Sequence, residues 1–268
     1  MKSAADPRPD RGLELWLLRH GATEWARNGR HTGRTDLPLL AEGEDEARSL
    51  APLLQGLAFT AVATSPLQRA RRTCELAGLG AAAQIWDDLH EWDYGAYEGI
   101  TTAEIHRSQS DWTIWSHGCP AGEDGAAVQI RCERVIARAL ALALALAGEP
   151  PQRCPPNAAA GSWLHTSDSP ASSSSMDSSS APLQVREPLA NSEGPCRIAL
   201  FAHGHLLRSL AATWLGLGAQ GGALLVLGTG GIGVLGYERQ QRALLRWNLT
   251  AAGERRTLQN GPSVGVRP

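Results

Sequence analysis

Neither a C-x-x-C pair nor an even set of cysteines occurs in this chain. The five present, Cys74, Cys119, Cys132, Cys154 and Cys196, are scattered. A disulfide framework is thereby excluded as the organising device, and free thiols in a reducing compartment are expected. Long apolar runs are equally scarce. The longest, residues 139–147, falls well short of the roughly 20 apolar residues a bilayer-spanning helix requires. Residues 1–12 are polar and carry two aspartates and two prolines, with no apolar signal-peptide segment. A flexible tail is expected there, on a cytoplasmic protein. Charge of one dominant sign is missing too. The formal net charge is −2, which gives no footing for nucleic acid or a membrane surface as partner. Any grip on an anion has to come from local arginines.

What remains is a chain of 268 residues with 43% apolar composition, enough for one domain of ordinary size with a sizeable core. The sharpest change of composition falls at residues 148–195, which open on Pro150-Pro151, repeat Pro155-Pro156 and contain Ser172 to Ser175 and Ser178 to Ser180. So few large apolar side chains cannot offset the entropy of ordering the segment. It is expected to be a disordered insertion into a single domain spanning residues 13–268. His165 and Trp163 within it are read as loop decoration. Elsewhere strands and helices alternate. Strands are expected at residues 13–18, 61–64, 198–202, 232–237 and 244–247, and helices at 41–55, 67–77, 101–107, 124–147 and 206–215. That alternation predicts an α/β fold, a three-layer sandwich with a mostly parallel central sheet and helices on both faces; the last two strands suit an antiparallel edge hairpin. Ala-Leu alternation in 139–147 has the period of a strand, but both are strong helix formers, so helix is expected.

Two strand ends carry the chemistry. Arg19-His20-Gly21 follows the first apolar strand, and His203-Gly204-His205 follows Ile198 to Ala202. Histidines at the carboxyl ends of two strands of one α/β sheet point to a shared ligand crevice. Arg19 beside His20 disfavours the imidazolium by like-charge repulsion, and its planar fork suits phosphoryl oxygens. Gly21 is expected to let the backbone approach a ligand. In Ser65-Pro66-Leu67-Gln68-Arg69, Ser65 is a candidate N-cap and Pro66 a candidate first helical residue. Arg69 then lies in the first turn, where the helix dipole favours anions; Arg71 and Arg72 are assigned to the surface or to support. The loop from Leu89 to Gly99 offers Glu91, Asp93 and Glu98, any of which could protonate a leaving alkoxide. His203-x-His205 also has metal-ligand spacing, but no H-E-x-x-H accompanies it, and the nearby arginines would repel a cation. No metal and no cofactor are expected.

In this order and spacing, Arg19-His20-Gly21, Thr32-Gly33-Arg34-Thr35-Asp36, Ser65-Pro66-Leu67-Gln68-Arg69-Ala70, Leu89-His90-Glu91 through Glu98-Gly99, and His203-Gly204-His205 resemble the histidine phosphatase superfamily, the phosphoglycerate-mutase-like enzymes. The wording is most similar to the sedoheptulose-bisphosphatase-like sugar phosphatase branch. Asn is usual at the position of His205 in cofactor-dependent mutases, so His205 leans toward phosphatase. The resemblance implies His20 as nucleophile through a phosphohistidine and Glu91 as general acid. It implies Arg19, Arg69 and His203 as holders of the phosphoryl oxygens, with Thr32, Gly33, Tyr94 and Gly204 lining the substrate pocket and Glu98 in support. The expected substrate is a small phosphorylated metabolite, a sugar phosphate or bisphosphate such as sedoheptulose 1,7-bisphosphate. Alternatives are a phosphoglycerate-type mutase, which would return the phosphoryl group to substrate, and a non-catalytic phospho-ligand module. Arg34, Arg107 and His31 are candidates for a distal phosphate. The aromatics Trp92, Tyr94, Trp112 and Trp115 are candidates to wall the pocket, with helix packing as the competing role. A homo-oligomer is compatible with the sequence.

Overall fold

Alternation along the first strand divides the molecule into layers. The computed structural model describes residues 12–147 and 194–250. Its elements run β1 (Leu13–Arg19), α1 (Glu24–Asn28), α2 (Ala41–Leu54), β2 (Ala61–Thr64), α3 (Gln68–Leu76), β3 (Ala83–Ile85), α4 (Thr102–Ile105), α5 (Ile114–His117), α6 (Gly125–Ala147), β4 (Cys196–Ala202), α7 (Gly204–Trp214), β5 (Ile232–Glu238) and β6 (Gln241–Leu249). Successive side chains of a strand point to opposite faces. In β1, Leu13, Leu15 and Leu17 enter one core with Val128, Val135 and Leu210 from α6 and α7. Trp16 and Leu18 enter a second core with Leu50, Leu54 and Cys74 from α2 and α3. Helices therefore cover both faces of the sheet.

The sheet order is β3-β2-β4-β1-β5-β6. β1, β4, β2 and β3 are mutually parallel, and β5 and β6 close one edge as an antiparallel hairpin. This is the α/β three-layer arrangement the sequence predicts. Because β1 and β4 are parallel neighbours in register from Leu13↔Cys196 to Arg19↔Ala202, they end side by side. The next residues, His20 and His203, follow directly.

Boundaries differ where local chemistry is decisive. The helix expected at 67–77 begins at Gln68, and Ser65 is not its cap. Asp36 does that work from another loop, its Oδ1 accepting from the Gln68 N–H at 2.8 Å. The helix expected at 206–215 begins two residues earlier, directly after His203. The Ala-Leu stretch is helical, as part of α6. β3, α1 and α5 are additions. β3 is a short, largely exposed edge strand, while α1 and α5 are single turns opened by the side chains of Thr23 and Thr113. The expected tail at 1–12 and insertion at 148–195 lie, apart from their edge residues, outside the described residues, as do His165, Trp163 and Cys154. Cys74, Cys119, Cys132 and Cys196 are free thiols. Among the described residues no helix is long and apolar enough to cross a membrane.

Candidate active site

The two strand-end histidines face each other, with ring centroids 5.1 Å apart. His20 is 5% exposed, and its backbone N–H continues the sheet by donating to the Ala202 carbonyl at 3.0 Å. Its Nδ1 lies 2.7 Å from the Gly21 carbonyl. A carbonyl can only accept, so Nδ1 carries the proton and Nε2 keeps its lone pair. His203 is arranged differently. Its Nδ1 accepts from Arg69 Nε at 3.1 Å, and its Nε2 lies 2.8 Å from Ser65 Oγ. Both its nitrogens are engaged by protein, whereas His20 Nε2 has no hydrogen-bond partner among the described residues.

Arg19 turns its guanidinium over the start of α7. Nη1 donates to the Leu227 carbonyl at 2.5 Å, and Nε is buried with no hydrogen-bond partner among the described residues. A side chain at Gly204 would place its Cβ 3.1 Å from Arg19 Cζ and Nε, so Gly204 lets the guanidinium lie against the helix. Gly21 plays another part than expected. A Cβ there would come 2.1 Å from the Gly43 carbonyl oxygen, so its bareness serves close packing of the strand end on α2, not approach to a ligand.

Arg69, 0% exposed, is the hub. Besides His203, it donates from Nη1 to the Thr35 carbonyl at 2.9 Å, and from Nη2 to those of Thr32 and Gly33 at 3.1 and 2.9 Å. The same loop is held from its other side by Glu98, whose carboxylate accepts from the Gly33 and Thr35 N–H groups, each at 3.0 Å. Arg69 thus spends four of its five N–H groups on the loop and on His203, and His203 is held between Arg69 and Ser65. Arg72 pairs with Glu44 and Glu75 on the surface, and Arg71 is exposed.

Glu91 is buried at the N-terminus of α7. Oε1 accepts from the N–H groups of Trp92 (2.9 Å) and Leu206 (2.8 Å), and Oε2 from His205 (3.0 Å). Oε2 therefore has the spare lone pair. Tyr94 stacks on His31 with centroids 4.8 Å apart, and its hydroxyl lies 2.7 Å from His205 Nδ1. Trp92 and Trp112 belong to the core, with their indole N–H groups donating to the Glu123 and Gly118 carbonyls. Trp115 packs edge-on to His205. Asp93 and Arg34 pair with each other at 2.6 Å, and Arg107 is exposed. Arg208 is the group the motif reading missed. One helical turn beyond Gly204, it stacks on Trp115 at 4.6 Å and donates to the Gly222 carbonyl at 3.0 Å, with no carboxylate partner among the described residues. The i, i+4 spacing from Gly204 was the available signal.

These contacts link His20, Arg19, Arg69, His203, Glu91, Thr32, Gly33, Tyr94 and Gly204 into one cluster. Among the described residues no group of three His, Cys, Asp or Glu has metal-binding geometry. Burial, then Arg69 and Arg19, push the His20 pKa well below its ordinary 6.5, against a small opposing effect of the Gly21 carbonyl. Burial and Arg69 do the same to His203, and burial and Arg208 to His205. The three rings are neutral at neutral pH. The unfolded chain binds protons on them from about pH 6.5 downward while the native state does not, so stability is complete above that value and declines below it. Each histidine contributes up to about 1.4 kcal/mol per pH unit across the window between the two values. Urea denaturation midpoints at about pH 7.5 and about pH 5.5 test this, since ordinary carboxylates do not titrate between them. The lower pH is expected to give the lower midpoint, and equal midpoints would refute it.

Comparison with known proteins agrees. A family model described as histidine phosphatase superfamily (branch 1) matches residues 15–145 and 161–250. Over 243 residues the chain is 33% identical to an acid phosphatase of Mycobacterium tuberculosis, covering 90% of this chain and 94% of the relative. Over 227 residues it is 32% identical to sedoheptulose 1,7-bisphosphatase of Saccharomyces cerevisiae, covering 76% and 68%. A solved structure of an open reading frame product from Mycobacterium tuberculosis has a TM-score of 0.67 at 31% identity, over 89% of this chain and 98% of that one. The mycobacterial glucosyl-3-phosphoglycerate phosphatase shares the fold, with a TM-score of 0.65 at 22% identity over 90% and 100%. Sequence motifs, sheet order and relatives converge, and the chain belongs to the histidine phosphatase superfamily as a phosphoric monoester hydrolase.

Proposed function

We propose that the protein hydrolyses small phosphorylated metabolites, sugar phosphates and above all bisphosphates, through a phosphohistidine on His20. The observation that carries this reading is the tautomer: Nδ1–H bound to the Gly21 carbonyl leaves Nε2 as an unprotonated nucleophile among guanidinium groups. Nε2 attacks phosphorus, the P–O bond breaks, and the leaving oxygen takes its electron pair and a proton from Glu91. Water then attacks the phosphohistidine and gives a proton to the Glu91 carboxylate as the P–N bond breaks. The transition state is loose and rich in charge, so positioned donors do most of the stabilising. Arg19, committed only to the Leu227 carbonyl among the described residues, has the most N–H groups left for the phosphoryl oxygens. Arg69 and the His203 ring set the floor, while Thr32, Gly33, Tyr94 and Gly204 line the approach. The reading involves no metal, nucleic acid or membrane and belongs in the cytoplasm.

Arg208 supports the substrate class. Burial lowers its pKa first and the charge of Arg19 lowers it further, so the two guanidinium groups are close enough to repel each other. A ligand with a second anionic group matches both guanidinium groups with negative charge; a monophosphate held at Arg19 leaves Arg208 without an anion of its own. The bisphosphate named for the yeast relative fits this requirement. The test is inorganic phosphate release from a panel of sugar mono- and bisphosphates with parent and Arg208→Leu. The parent is expected to favour bisphosphates in kcat/KM. Losing the charge-assisted contact of Arg208 should cost bisphosphates roughly 10–100-fold, matching about 1.5–3 kcal/mol, and spare monophosphates. A flat panel defeats the bisphosphate preference. Isomerised substrate without free phosphate would make the protein a mutase.

A further inference from the structure

Arg131 on α6 is a buried guanidinium with no part in the steps above. It is 7% exposed, and all five of its N–H groups are used. Nε and Nη2 grip the Glu123 carboxylate at 3.0 and 2.6 Å. Nη1 donates to the carbonyls of Asp88 (3.0 Å) and His90 (2.5 Å), and Nη2 also reaches that of Glu91 at 3.4 Å. Glu123 continues the attachment. Its Oε2 accepts from the Asp93 N–H at 2.9 Å, and its backbone carbonyl accepts from the Trp92 indole at 3.1 Å. Three carbonyls that converge on one point need a planar cation with several fixed donors, which only arginine supplies.

We propose that Arg131 is a positioning residue for the general acid: it fixes the backbone through Glu91 from α6 and so sets where the carboxyl stands. The side chain of Glu91 is held from α7, so the acid is located by two helices at once, one through its carboxyl and one through its backbone. Loss of the α6 hold leaves the carboxyl attached to α7 on a main chain free to shift. A displacement of about 1 Å at a reacting group costs on the order of 10²-fold in rate.

This inference rests on Glu91 being the acid, and the experiment separates the two. Only a poor leaving group needs its oxygen protonated as the P–O bond breaks; an aryl oxide departs without help. Turnover of glycerol phosphate and of 4-nitrophenyl phosphate is compared in the parent, Glu91→Gln, Arg131→Lys and Glu123→Gln. Read in kcat/KM, which reports the steps through P–O cleavage and not the shared hydrolysis of the phosphohistidine, Arg131→Lys is expected to lose about 10²-fold on the alkyl ester and little on the aryl ester. Glu123→Gln, at a less buried residue, preserves shape while weakening the ion pair, and a smaller loss of the same selectivity is expected. It decides the matter if Arg131→Lys does not fold. Equal losses on both esters, or none, would overturn the positioning role while Glu91→Gln still discriminates between them. If Glu91→Gln treats both esters alike, the acid assignment falls and this inference with it.

Discussion

Replacing His20 with alanine is expected to reduce phosphate release by roughly 10⁴–10⁶-fold and to abolish the acid-labile phosphoenzyme, with the fold intact. Stability is expected to survive because, among the described residues, the ring makes a single hydrogen bond, to the carbonyl of the next residue. The loss of turnover follows from the absence of a substitute nucleophile. His203 is the nearest ring, but its Nδ1 is held by Arg69 and its Nε2 by Ser65. Rescuing catalysis through His203 would require breaking one of those bonds and leaving a buried polar atom unpaired, at about 1–3 kcal/mol. Rapid acid-quench trapping with labelled substrate, alongside thermal melts, measures both halves. A phosphoenzyme of parental yield in the alanine variant would show that the nucleophile lies elsewhere. A kcat/KM profile supplies the matching pH statement. Neutral His20 is the reactive form and its pKa lies well below 6.5, so protonation of this ring takes activity away only on the acid side of that value.

The framework was legible where apolar patterning is strong. Strand β1 and the histidine after it are marked by a run that is apolar but for Glu14 and closed by Arg19-His20-Gly21, and β4 by Ile198 to Ala202 before His203. Parallel pairing then makes their ends coincide. The short elements were not legible, because a single turn such as α1 or α5 depends on one capping threonine, and the three residues of β3 are too few for a period-two pattern to show. Residue identities at the site were readable before their physical roles. Ser65 has the look of a helix cap yet serves His203, since Asp36 reaches the helix from 32 residues away. Gly21 reads as a ligand-side glycine, but its missing side chain faces Gly43. Both depend on tertiary contacts that local propensity does not encode. Arg208 lacked a motif of its own, and its importance shows only once Trp115 and Arg19 are beside it.

Arg69 gives the sharpest test of how binding and architecture are joined. Its methionine variant is expected to lose about 3–5 kcal/mol of stability as well as most activity. Three backbone carbonyls, of Thr32, Gly33 and Thr35, and the Nδ1 of His203 lose their donor together, those of Gly33 and His203 in buried positions and the other two in partly buried ones. Relief from burying a guanidinium without a carboxylate beside it offsets part of that cost. Lysine keeps the charge but offers a point cation on a flexible stem, which cannot span four acceptors; it is expected to fall between parent and methionine in both respects. Urea denaturation and kcat/KM measured on the same preparations separate two roles. A residue that only grips phosphate would lose turnover at unchanged stability. A brace that also presents the anion site loses the two together, because the loop at Thr32 to Thr35 and the His203 ring take their positions from the same guanidinium. A methionine variant as stable as the parent would remove the brace and leave Glu98 alone to hold that loop.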